Sequence, residues 1–160
     1  MFKKILFLAS IICYSVSFAQ ESETDNVAFA VIENVPVYPG CTDESNMKLK
    51  KCMSDKISAF VNIHFDMKKI AAMDLPPKTY RTSVQFKIDN KGNVVDVRAR
   101  AEYPAIEKEA VRVVSNLPQM KPGKQKGKEV GVLYALPIIF KIEPPTKKEL
   151  KRKNKNKRKG

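Results

Sequence analysis

The most regular hydrophobic pattern in the chain is its last apolar run, Val130 to Ile142. Val132, Tyr134, Leu136, Ile138, Phe140 and Ile142 fall on alternate residues, and Lys141 interrupts the other face. A period of two is what a strand with one buried face produces. At thirteen residues the run is long against a typical strand of about five or six, so it is expected to overhang its partners. Nothing after it reads as an element that would cover an edge. An overhanging, uncovered strand has the geometry to accept a further strand from another chain.

A second period-two pattern lies upstream. Val84, Phe86 and Ile88 alternate with Gln85, Lys87 and Asp89, and Val95, Val97 and Ala99 alternate with Asp96, Arg98 and Arg100. Between them, Asp89-Asn90-Lys91-Gly92 has the residues of a type I turn with Gly92 in the left-handed position. Together they predict a β-hairpin.

Two stretches step at helical spacing instead. Asn46 to Asp66 reads as a helix with Met53, Ile57, Phe60, Val61 and His64 on one face and Asp43, Ser45 or Asn46 as caps. Pro104 opens a second helix at its first position. Ile106, Ala110, Val113, Val114 and Leu117 form its apolar stripe, Glu107 and Glu109 stand near its positive end, and Pro118 stops it. Ala28 to Val31 reads as a short extra strand and Met67 to Lys78 as a connector closed by Pro76-Pro77. Met120 to Lys128 forms a loop into the last strand. The order from Val84 is strand, strand, helix, strand. One small antiparallel sheet with helices packed on its apolar face buries every stripe at once, which makes the fold class α+β with two layers.

The first nineteen residues follow different rules. Lys3 and Lys4 precede an apolar stretch from Ile5 to Val16, and Ser17-Phe18-Ala19 is a small-x-small site before Gln20. This is the pattern of a signal peptide cleaved between Ala19 and Gln20. An uncleaved inner-membrane anchor is the rival reading, although a membrane helix wants about 20 apolar residues and Ser10 and Ser15 break this run. Cys13 sits in a poor lipobox. Export places the chain in an oxidising compartment, the periplasm. The remaining 141 residues suffice for one modest domain, and Gln20 to Asn26 reads as a polar, acidic, disordered lead-in.

Charge changes the picture at one end only. The chain carries +13, of which Lys3 and Lys4 leave with the signal. From Thr146 onward, nine basic residues (Lys147, Lys148, Lys151, Arg152, Lys153, Lys155, Lys157, Arg158 and Lys159) face a single Glu. The folded part is therefore left near neutral, at about +3. In a cytoplasmic protein such a tail suggests nucleic acid; past an export signal that partner is absent. A disordered tail that meets anionic lipid, lipopolysaccharide or acidic polymer, or one that is simply solvated, are the two readings. No internal repeat is visible, and the tail is the only low-complexity segment.

Without Cys13, Cys41 and Cys52 remain as an even pair in an oxidising compartment. Their disulfide would close a loop of twelve residues, a constraint of about 3 kcal/mol, and clamp Val35 to Gly40 onto the first helix. A metal site lacks ligands, since His64 is the only histidine and no third thiol remains; no cofactor is expected. His64 itself reads as a locally hydrogen-bonded residue at the edge of the core. There is no Gly-rich phosphate loop after a strand and no nucleophile elbow. The paired carboxylates Asp43/Glu44 and Glu107/Glu109 are explained by capping and helix-dipole roles. The residues point to an envelope binding module and away from an enzyme.

The motifs in their order also carry a resemblance. The hairpin Val84 to Val94, the helix segment Glu107 to Val114 and the loop Pro118-Gln119-Met120-Lys121-Pro122-Gly123 come first. Gly127-Lys128-Glu129-Val130 and Leu136-Pro137-Ile138-Ile139-Phe140 follow. Together they resemble the C-terminal domain of TonB energy transducers over roughly Tyr80 to Ile142. The upstream Pro36-Val37-Tyr38-Pro39-Gly40-Cys41 resembles the version common in Bacteroidetes-type bacteria.

The resemblance implies a periplasmic domain that pairs with a short peptide of an outer-membrane TonB-dependent transporter, added as a strand beside the last β-strand. Carried over, the contacting residues are Val130, Gly131, Val132, Leu133, Tyr134, Ala135 and Leu136. Pro137 has no N–H to donate, so pairing on one side of the strand should be interrupted there. A homodimer through the same edge is a further expectation. The pattern departs from a full transducer in lacking a long Pro-rich spacer, since only about two dozen residues separate the signal from Cys41 and an extended chain gains at most about 3.6 Å per residue.

The expected organisation is therefore a signal over 1–19, a lead-in over 20–34, a Cys-clamped loop and helix over 35–79, the TonB-like domain over 80–143 and a basic tail over 144–160. The alternative function is a structural envelope protein that binds peptidoglycan or lipopolysaccharide through the domain and tail.

Overall fold

In the computed structural model, residues 26–43 and 45–147 are described. The expected signal peptide with its Ala19–Gln20 junction, the start of the lead-in, Glu44 and the tail from Lys148 onward lie outside them. The described chain runs β1 (Asn26–Ala28), α1 (Asn46–His64), α2 (Met67–Ala71), β2 (Thr79–Ile88), β3 (Val94–Arg100), α3 (Pro104–Val114), β4 (Gly123–Gln125) and β5 (Lys128–Lys141). It forms the expected α+β fold.

The sheet is organised by β2 and β5. They pair antiparallel from Thr79↔Lys141 to Ile88↔Val132, and their alternating patterns come into phase. Tyr80, Val84, Phe86 and Ile88 of β2 and Val132, Tyr134, Leu136 and Ile138 of β5 are buried on one face. Against that face lie Ile106, Ala110, Val113 and Val114 of α3 and Met53, Ile57 and Val61 of α1. Each helical stripe covers apolar sheet surface, the area-proportional term that dominates folding. The sheet order is β1-β5-β2-β3, with β4 paired to β5. It is mixed, because β1 runs parallel to β5, whereas the pattern predicts an all-antiparallel sheet.

The hairpin turn follows its residues. Gly92 has φ +83°, and the Asp89 carboxylate accepts the N–H groups of Lys91 and Asn93 at 2.9 and 2.8 Å. The return strand differs from expectation. Gln85 pairs with Arg98 but Lys87 pairs with Val95, which leaves one extra residue on β3, and Asp96 adopts φ +54°. This β-bulge flips the register. Val94 and Val97 pack on the core, and Val95 stands opposite the outward-facing Lys87. Three apolar residues on one face was therefore the wrong phase for Val95. The alternation of period two fails wherever an extra residue enters the strand.

The first helix ends at His64, two residues before the expected stop, and the expected connector contains α2. Asp66 separates them, its side chain accepting the Lys69 N–H at 3.0 Å as an N-cap. Of the expected caps of α1, Ser45 holds the N-cap position without a side-chain bond, and Asp43 accepts the Ser45 N–H at 2.9 Å. Asn46 does something else, accepting the Val35 N–H at 3.0 Å. That bond, the Cys41–Cys52 disulfide with its Cα atoms 6.0 Å apart, and the bridges Asn34↔Lys124 and Val37↔Lys121 fix residues 32–41 between α1 and β4. Ile32, Val35 and Tyr38 are buried there.

Candidate functional site: the outer edge of the last strand

Which backbone groups β5 offers to a partner follows from alternation. In an antiparallel ladder, consecutive residues point their N–H and C=O to opposite sides. The Ile142 N–H donates to the Lys78 carbonyl at 3.0 Å, while the Leu133 carbonyl accepts the Phe29 N–H at 3.0 Å. Even-numbered residues therefore face β2 and odd-numbered ones face away from it. Val130 pairs with Gly123 of β4 on the same side as β2, so β4 and β2 together line the whole inner side of β5. The expected overhang is thus occupied by β4, a short strand whose Gly123-Lys124-Gln125 carries no hydrophobic period.

The seven residues Val130 to Leu136 divide accordingly. Val130, Val132, Tyr134 and Leu136 are inward and buried. Gly131, Leu133 and Ala135 present their backbones to the outer edge, and the exposed side chains of Leu133 and Ala135 line the outer face of the sheet. Leu133 is 49 % exposed, beside Gln85, Lys87 and Arg98, and Ile139 is 51 % exposed further along, opposite Arg81. Lys87 pairs with Asp96 at 3.2 Å. The inward side chains make the platform rigid. The Tyr134 hydroxyl donates to Ser54 Oγ of α1 at 2.9 Å, and burial raises its pKa above the usual tyrosine range.

The edge is not open along this whole run, which corrects the expectation that nothing covers it. β1 lies against it, with Asn26 opposite Gly131, Val27 opposite Val132 and Ala28 opposite Leu133. The covering strand comes from the N-terminal side and is only three residues long, two positions earlier than the strand expected at Ala28 to Val31. The residues Asn26-Val27-Ala28-Phe29 do alternate polar or small with apolar, which is the one signal that could have revealed it. Gly131 makes room for the contact. A Cβ there would lie 2.5 Å from Asn26 Oδ1. The Phe29 ring meets Tyr134 edge-on at 4.7 Å, and Val27 packs with Val130 and Val132.

Beyond β1 the outer edge meets Pro137. Its residue number is odd, so its missing donor falls on the outer edge and the ladder with β2 continues through Ser83↔Pro137. The opposite edge of the sheet, β3, carries the bulge and the exposed Arg98 and Arg100, features that discourage strand addition.

The remaining candidates fall elsewhere. His64 is exposed, its Nδ1 lies 2.8 Å from the Phe60 carbonyl, and its ring stacks on Phe60 at 4.0 Å. Glu107 accepts the Ala101 N–H at 3.0 Å. Glu109 is not a surface dipole partner. It is buried and accepts from Arg112 and from the Asp66 N–H, because α3 turns it toward the α1–α2 corner. Of the basic tail, only Lys147 is described, and it is exposed. Among the described residues no group of three or more His, Cys, Asp or Glu could hold a metal ion, and no helix is long and apolar enough to cross a membrane.

Residues 81–142 match the protein family described as Gram-negative bacterial TonB protein C-terminal, and no curated protein matches the chain. The match covers almost all of β2, then β3, α3, β4 and all of β5, while β1, α1, α2 and the disulfide precede it. Domains of this family are non-enzymatic, belong to the envelope and interact with outer-membrane transporters. Through this segment the chain carries a domain similar to the TonB C-terminal domain family.

Proposed function

We propose that this protein is a periplasmic binding module that pairs, by β-strand addition along the outer edge of β5, with a peptide segment of an outer-membrane TonB-dependent transporter or a similar envelope protein. It thereby serves energy-coupled transport across the outer membrane. The observation that carries this reading is the alternation of β5. Gly131, Leu133 and Ala135 direct their backbones outward from a strand whose other face and other side are fully engaged by the core. A peptide laid there gains main-chain hydrogen bonds, and the side chains beside it supply selectivity. Pro137 and the bulged β3 leave neither edge a long uninterrupted run for a second copy of the chain, which favours a foreign peptide over a homodimer.

The test is a titration of isotope-labelled protein with peptides from the periplasm-facing segments of outer-membrane transporters, followed by NMR. Amides between Val130 and Leu136 should move first, led by Gly131, Leu133 and Ala135. Shifts confined to the basic tail would overturn this reading in favour of binding to an anionic envelope polymer. The intact mass of the protein from its native envelope separates a soluble module starting at Gln20 from an anchored transducer starting at Met1.

A further inference from the structure

The edge proposed for partner binding already holds a strand from the same chain. β1 is held lightly. Three residues pair with β5, and the side chains it turns inward, Val27 and Phe29, are only partly buried. Three residues after Phe29 the situation changes. Ile32 is buried, and Val35 is tied to Asn46. The firm anchorage therefore begins at Ile32, and the turn closed by the Val31 N–H on the Ala28 carbonyl, 3.0 Å, separates it from β1. Detaching β1 would expose Val27 and Phe29 and uncover the parts of Val130, Val132 and Tyr134 they pack on, while Ile32 and Val35 keep their anchorage.

We infer that β1 occupies the docking edge as a stand-in for the partner, which displaces it. The partner is then an extended peptide running parallel to β5, with an apolar side chain in the place of Val27 and an aromatic one two residues later in the place of Phe29. The inference rests on strand addition to β5 as the binding mode. The side chains of β1 give the template. A polar residue lies over Gly131, which has no Cβ to obstruct it, and an apolar residue faces Val132. A small residue stands beside Leu133, and an aromatic ring meets Tyr134. The segment competes from within its own chain, so its effective concentration is on the order of millimolar, which lets a short, weak strand keep the edge filled until a better-matched peptide arrives.

The experiment uses the full chain and a synthetic peptide of its own residues 25–30 as the probe. Val27 has an odd number, like Phe29, so its N–H faces β5, and Val27→Pro removes that donor. Phe29→Ala is the second variant; it keeps every backbone donor and removes the ring from Tyr134. If β1 fills the edge nine-tenths of the time, the wild-type protein binds the probe about tenfold more weakly than Val27→Pro, with Phe29→Ala between them. The amide shifts should centre on Gly131, Leu133 and Ala135. Equal affinity in all three proteins, with shifts at those residues, overturns self-occupancy and leaves strand addition standing. Absence of shifts at those residues in every protein overturns both.

Discussion

Replacing Glu109 tests whether the tie between α3 and the α1–α2 corner is electrostatic. The residue is 3 % exposed. One carboxylate oxygen accepts the Asp66 N–H at 2.9 Å, the other accepts Arg112 Nε at 2.9 Å, and Arg112 Nη2 reaches on to the His64 carbonyl at 2.8 Å. The hydrogen bond from Arg112, with the Asp66 N–H adding to it, holds the carboxyl below its ordinary pKa against the opposing effect of burial. Glu109→Ala strands the Asp66 N–H, and a part-buried donor left without a partner costs about 1–3 kcal/mol. Lost packing of the side-chain methylenes adds to this, for an expected total of about 2–3 kcal/mol. Glu109→Gln keeps the shape and an acceptor for Asp66, and should cost about 1 kcal/mol.

The sign with pH follows from the lowered pKa. The stabilisation is complete above the unfolded value of about 4.3 and is lost as pH falls through that value toward the folded one. Urea unfolding followed by far-UV circular dichroism, with the disulfide intact, measures both variants at about pH 7 and about pH 3.5. The gap between wild type and Glu109→Gln should close at the acid end. Equal losses for Ala and Gln, or a Gln variant that keeps the full acid slope of the wild type, would refute the electrostatic account.

Three further substitutions probe the backbone and the core. Gly92→Ala places a Cβ 1.7 Å from the Met120 carbonyl oxygen at φ +83°, and should cost on the order of 2–3 kcal/mol, as left-handed strain adds to a displaced loop. Gly127→Ala has a similar φ but nothing within 4 Å of its Cβ, and should lose only about 1 kcal/mol; equal shifts of the two melting temperatures would show that contact with Met120 is irrelevant. Thr82 is 0 % exposed and its hydroxyl has no hydrogen-bond partner, so Thr82→Val should raise stability by about 1 kcal/mol in the same urea assay, and a loss would mean that the hydroxyl is engaged.

The parts of the fold that were readable in the sequence are those where one period persists over several turns or residues. The alternation in β2 and β5, the stripe from Ile106 to Leu117 in and beyond α3, and Gly92 in its turn all have local causes. So does the position of Pro104 at the start of a helix. The disulfide was readable because only two cysteines, Cys41 and Cys52, lie beyond the apolar N-terminal stretch. The unread parts are tertiary. β1 and β4 are three residues each, too short to display a period, and both exist because β5 offers them a side to pair with. The bulge at Asp96 depends on the register against β2, and Asn46 looks like a cap but serves as a clasp for Val35. At the candidate site, the sequence located the strand but not the division of its residues between edge and core. That division depends on which side β2 occupies.

On the proposed strand addition to β5, the length of the slot follows from the same division. Strand addition needs outward donors and acceptors in an unbroken row, and β5 has them at Gly131, Leu133 and Ala135 before Pro137 removes the next donor. At about 3.3 Å per residue, Gly131 to Ala135 spans about 13 Å, room for a paired peptide of roughly five residues. β1 fills the first three positions of that row and stops where Phe29 turns onto Tyr134. A partner that fills all five and places an aromatic side chain on Tyr134 makes the contacts β1 makes and adds those at Ala135. On the proposed exchange, the outward backbone of Ala135 would provide the energetic margin by which a foreign strand replaces the resident one.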